Sequence, residues 1–131
     1  MHLAELGAEV VRIDRPRGGG LPQIPIDSLN RSRPNLVVDL KRSGGSDVVL
    51  RLAQDADVLI EGWRPGVAER LGVGPQHCLA VNPKLIYARI TGWGQTGPMA
   101  HTAGHDITYA ALSGALHATG GREKPRQAAN L

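Results

Sequence analysis

Apolar positions along the 131 residues fall into short β-branched runs separated by stretches of helical spacing. Four runs read as strands: 8–14 (AEVVRID), 36–40 (LVVDL), 57–61 (DVLIE) and 85–91 (LIYARIT). Residues 3–6 read as the last turn of a helix, with Gly7 as its C-cap. Between the second and third runs, Val48, Val49, Leu52 and Ala53 recur at helical spacing, so a helix reaching about Asp55 is expected, capped by Ser43 or Ser46. Pro65 suits the first turn of a helix to about Leu71, and a second short helix follows Pro75. After the fourth run a Gly-rich loop, 92–104, leads into a helix near 106–119, with Ile107, Ala110, Ala111 and Gly114 on one face. Residues 15–34 form a long polar loop, and the tail from Gly120 is polar.

Strands alternating with helices specify an α/β fold, a parallel sheet with flanking helices. In such sheets ligands sit beyond the C-terminal ends of the strands. The segments there are Arg15-Pro16-Arg17, Lys41-Arg42, Gly62-Trp63-Arg64 and Thr91-Gly92-Trp93-Gly94. Three of the four carry Arg or Lys, a placement that an anionic ligand explains better than chance.

Charge sharpens that picture. The chain holds 15 Lys+Arg against 12 Asp+Glu, a formal net charge of +3. The excess is local: Arg12, Arg15, Arg17, Arg31, Arg33, Lys41 and Arg42 face only Asp14, Asp27 and Asp39 over residues 12–42. On charge alone, an anionic partner and a solvated loop stand equally open. Nucleic acid is not expected, because aromatics are not interleaved with the charges. Composition adds two oddities. There are 17 Gly and no Phe, and the only aromatics are Trp63, Tyr87, Trp93 and Tyr109. A self-contained core usually holds more ring area, so this module is expected to borrow core from elsewhere.

Several function classes drop out. A single Cys78 leaves no disulfide framework and fits a reducing, cytoplasmic setting; it reads as buried packing. No apolar run approaches the roughly 20 residues that span a bilayer, and no signal peptide is expected from MHLAELGAEVVRID. Neither common nucleotide fingerprint is present, and there is no nucleophile elbow. His101 and His105 stand four apart without an obvious third ligand, so no metal is expected. His117 reads as packing in the last helix.

His105 follows Gly104 and opens that helix, beside Asp106. A helix start supplies free N–H groups for a developing oxyanion, and its positive end favours the neutral imidazole that a general base requires. From spacing alone, a surface histidine beside a capping aspartate is the favoured reading.

The strings LGAEVVRIDRP, RSRPNLVVDLK, DVLIEGWRPGVAERLG, NPKLIYARITGWGQTGP and AGHDITYAALSGALHATG, in that order, resemble the family III CoA-transferase and racemase group. Within it they are most similar to the α-methylacyl-CoA racemase branch, of the actinobacterial type. The resemblance implies a Rossmann-like, CoA-binding large domain, of which residues 1–131 form part, taken from an interlocked homodimer. It implies exchange of the α-proton of 2-methylacyl-CoA thioesters through an enolate, with CoA as part of the substrate and no separate cofactor. Carried over by position, Arg15 meets the adenine–phosphate end of CoA. Val38, Asp39, Leu40 and Lys41 line the nucleotide, and Gly62, Trp63, Arg64 and Arg70 make the next contacts. Gly104, His105, Asp106, Ile107, Thr108 and Tyr109 hold the thioester end, with His105 as the catalytic base. The histidine favours racemase over transferase, since transferases of the group usually lack it and use an aspartate nucleophile further on. The racemase's own catalytic aspartate falls a few positions beyond an Asn-Leu like Asn130-Leu131, and Asp106, adjacent to the base, does not replace it.

Overall fold

The structure, a computed structural model, describes residues 2–16 and 31–120. The sequence readings for Arg17, the glycines 18–20 and the tail 121–131 lie outside the described residues.

Helix α1 (His2–Glu5) closes as expected at Gly7: the Gly7 N–H donates to the Ala4 carbonyl at 3.1 Å and the Ala8 N–H to the Leu3 carbonyl at 3.0 Å. Strand β1 (Arg12–Asp14) pairs in parallel with β2 (Asn35–Val37), Ile13 opposite Leu36. Both strands are shorter than their apolar runs. The Arg12 N–H reaches the carbonyl of Pro34 at 2.8 Å, and Pro34 has no N–H with which to continue the ladder.

Helix α2 (Gly45–Asp55) returns the chain to β3 (Val58–Glu61). Helices α3 (Val67–Arg70) and α4 (Pro75–Val81) then lead to β4 (Ile86–Arg89), which lies parallel to β3 with Leu59 opposite Tyr87. The four strands form two parallel pairs, β1 with β2 and β3 with β4, rather than one continuous ladder. The pairs meet through side chains: Ile13 of β1 and Leu59 of β3 pack on one cluster built around Val49, Ala68 and Val73. A second cluster, Ala53, Cys78 and Leu85, joins α2 and α4 beneath Leu59 and Tyr87.

The periodicity of α2 resolves into two roles. Val49 and Ala53, one turn apart, are buried, whereas Val48 and Leu52 lie on the more exposed flank. Its N-cap is Gly44, without a side-chain cap, so neither Ser43 nor Ser46 serves. Pro65 sits in the turn before α3, and it is Pro75 that occupies a first helical turn. The helix expected over 106–119 is two helices, α5 (Asp106–Leu112) and α6 (Ala115–Ala118), separated at Gly114, whose φ of +82° no helix continues through. The break leaves His117 exposed, correcting its reading as packing. Cys78 is fully buried, as expected, and its thiol donates to the Val73 carbonyl at 3.3 Å.

Candidate active site

Because β3 and β4 run in parallel, their C-terminal ends lie at one edge. The backbone leaving β3 (Gly62 to Pro65) and that leaving β4 (Ile90 to Trp93) form two walls of an open cleft of about 230 Å³. The third wall comes from the end of the Gly-rich loop, Ala100 and Thr102 to Gly104, and Tyr109 completes the lining. The Tyr109 ring lies 4.8 Å from that of Trp93, tilted by 56°. The Trp93 indole N–H reaches the Ala103 carbonyl at 3.3 Å, tying the two ends of the loop together.

Arg89 ends β4, one residue before the cleft wall begins at Ile90. Its Nη1 donates to Gln95 Oε1 at 2.6 Å and its Nη2 to Glu69, and its Nε lies 3.6 Å from Glu61 Oε1. The guanidinium also covers the Tyr87 ring at 5.6 Å. Glu61 is 7% exposed in its side chain, and its Oε2 accepts the Trp63 N–H at 2.7 Å. One arginine thus connects the wall after β3, helix α3 and the loop after β4. Glu69 titrates below its ordinary value, through its own backbone N–H first and then Arg89. The Tyr87 phenol is pushed up to about 12, by burial first and then by Glu61, and it donates to the Val73 carbonyl at 2.9 Å.

His105 is the N-cap of α5 and is exposed beside the cleft residue Gly104. Its N–H donates to Thr108 Oγ1 at 2.8 Å, and that hydroxyl donates back to the His105 carbonyl at 2.6 Å. The Thr108 and Tyr109 N–H groups also go to the His105 carbonyl, at 2.9 and 3.1 Å. Asp106 and Ile107 are left as first-turn donors without an intrahelical acceptor. Asp106 is the first residue of the helix, not its cap.

The positions named from the sequence divide into two groups. Gly62, Trp63, Arg64, Gly104 and Tyr109 line the cleft, and His105 to Thr108 form the turn beside it. The others lie away from its lining. Arg15 is exposed just past β1. Val38 to Lys41 form the turn after β2: the Val38 N–H bonds the Asp14 carbonyl, Asp39 Oδ1 accepts the Lys41 N–H at 3.0 Å, and Leu40 packs on the core. Arg70 is the exposed last residue of α3. Within the basic stretch, Arg12 pairs with Asp14 at 2.6 Å and Arg31 with Glu5. The sequence reading missed Glu61, Glu69, Arg89 and Gln95. Their one signal was a charge inside an apolar strand run, at Glu61 and at Arg89.

Among the described residues, no group of three His, Cys, Asp or Glu side chains is placed to hold a metal ion. No described helix is long and apolar enough to cross a membrane. The sequence profile of CoA-transferase family III matches residues 1–131. The chain is 46% identical to human α-methylacyl-CoA racemase, over 100% of its own length and 34% of the relative's. It is 38% identical to mouse succinyl-CoA:glutarate CoA-transferase, over 92% and 30%. The crystal structure of a CAIB/BAIF family protein from Brucella suis superposes with a TM-score of 0.84 at 31% identity, covering 98% of this chain and 38% of that one. The chain therefore spans about a third of the length of the curated relatives it matches.

Proposed function

The chain belongs to CoA-transferase family III, and on that premise we propose that the whole protein interconverts the (2R) and (2S) forms of 2-methylacyl-CoA thioesters. The observation that carries this reading is His105, an exposed imidazole at the start of α5, flanked by Gly104 and Tyr109 of the cleft. On this reading a thioester held in the cleft presents its α-carbon to the His105 ring. Neutral His105 takes the α-proton, and the electron pair moves onto the thioester oxygen as an enolate. On this reading the first-turn N–H groups of Asp106 and Ile107 are the donors offered to that oxygen. An acid on the opposite face returns a proton to the α-carbon, completing inversion. The family resemblance assigns that acid to an aspartate beyond Leu131.

Arg64 at the cleft wall, with Arg15, Lys41 and Arg70 around the strand ends, supplies charge for the phosphates of CoA. Identities of 46% and 48% to two racemases, against 38% and 37% to two CoA-transferases, support racemisation over transfer. The second reading is CoA transfer through an acyl-aspartate intermediate.

The test is proton exchange in heavy water by the full-length protein. Deuterium is expected at the α-carbon, and His105→Ala is expected to remove it. Unchanged exchange in that variant overturns the role of His105. A hydroxylamine-trapped acyl adduct without exchange makes the protein a transferase.

A further inference from the structure

The Gly-rich segment leaves the sheet at Gly92 and reaches α5 at Gly104, and both ends come to one tyrosine. A Cβ on Gly92 would stand 2.0 Å from Tyr109 Oη, and a Cβ on Gly104 would also stand 2.0 Å from it. Non-bonded carbon contacts are comfortable only near 3.5 to 4.0 Å. Neither glycine is among those with positive φ, so backbone conformation does not require glycine at either place. What requires it is the space the phenol occupies. Trp93 packs on the same ring, and its indole N–H bonds Ala103, next to Gly104. Tyr109 lies one turn beyond His105, and its N–H bonds the His105 carbonyl.

We propose that Tyr109 is a positioning residue: its phenol is the seat on which both ends of the 92–104 segment close, and that closure sets His105 against the cleft. The proposal rests on the reading of His105 as the base. It differs from a role in holding substrate, because it assigns Gly92 and Gly104 to the tyrosine rather than to a ligand's approach.

The geometry separates two substitutions that look alike in sequence. Tyr109→Phe removes only the hydroxyl oxygen. At Gly92 the next ring atoms stand 3.1 and 3.4 Å from the built Cβ, a crowding that a shift of a few tenths of an ångström relieves. At Gly104 they stand at 2.5 and 2.8 Å, still overlapping. Phenylalanine at 109 therefore makes room for alanine at 92 and not at 104.

The experiment places Gly92→Ala and Gly104→Ala in the full-length protein with either Tyr or Phe at 109. The readouts are kcat and KM for α-deuterium exchange, the near-ultraviolet circular dichroism of the Trp93–Tyr109 pair, and Tm. Gly92→Ala is expected to lower kcat about 10- to 100-fold, the scale of a catalytic group misplaced by about an ångström. Adding Tyr109→Phe is expected to restore it to within about twofold of Tyr109→Phe alone. Gly104→Ala is expected to stay impaired in both backgrounds. A Gly92→Ala defect of equal size with Tyr or Phe at 109 overturns the proposal, as does a Gly92→Ala protein with no defect. If the parent protein exchanges no deuterium, the base reading fails, and the same pattern of rescue in the dichroism and Tm still decides the seat.

Discussion

At the scale of the residue, carboxylates set beside guanidinium groups couple stability to acid. Asp14 is held below the ordinary carboxylate value, first by its hydrogen bond from Arg12, and Glu69 by its own backbone N–H and by Arg89. Both pKa values are depressed in the folded state. Their contribution is therefore present above the unfolded values and is lost as pH falls through the folded ones. Urea midpoints are expected to fall below about pH 4, and Arg12→Gln is expected to flatten that loss. A variant with an unchanged acid limb would show that the Arg12–Asp14 pair carries none of it. Such pairs were poorly legible in the sequence. The run Arg12 to Asp14 reads there as strand and as part of a basic patch, while in the fold the two side chains neutralise each other. The place of His105 at a helix start was legible from the glycine before it, while its proposed role as base came only from the family resemblance. Tyr109 was named only by family resemblance, since nothing in spacing reveals that Gly92 and Gly104 converge on one phenol.

At the scale of the element, helices were readable where an apolar face repeats and misread where a cap decides. The face of α2 followed from its spacing, but its start did not, since Gly44 and not a serine caps it. Continuous apolar spacing through 106–119 hid the break at Gly114, because periodicity does not report the sign of φ. The end of α2 shows what does hold an element boundary. Asn82, just past α4, donates from Nδ2 to the carbonyls of both Ala53 and Ala56 at 2.9 Å. These are carbonyls that the helix itself leaves without a partner. Asn82→Ala removes both bonds in a half-buried place, and a loss of about 1 to 3 kcal/mol is expected by urea unfolding. Asn82→Asp keeps the shape but replaces the amide donor with an acceptor facing two carbonyls, and is expected to be at least as damaging. A neutral Asn82→Ala would mean that the α2–α4 packing around Ala53 and Cys78 suffices alone.

At the scale of the whole molecule, one face of the β3–β4 pair packs on the helices, and the other carries exposed isoleucines. Ile60, Ile86 and Ile90 are 52%, 63% and 67% exposed, although parallel sheets are ordinarily covered on both faces. The residues fully inside are mostly small, which answers to a chain without phenylalanine. The proposed racemase reaction adds a chemical demand. Inversion at an α-carbon needs one group to take the proton and another, across the carbon, to return it. Among the described residues the acid nearest in sequence to His105, the proposed base, is Asp106, its immediate neighbour at the same helix start. The 131-residue polypeptide alone is therefore expected to leave the (2R) to (2S) ratio of a 2-methylacyl-CoA unchanged, while a protein of the relatives' length brings it toward unity. Chiral chromatography of the hydrolysed acid measures the ratio. Inversion by the 131 residues alone would mean that the second proton donor lies within this chain, and that the acid assigned beyond Leu131 is not the one the reaction uses.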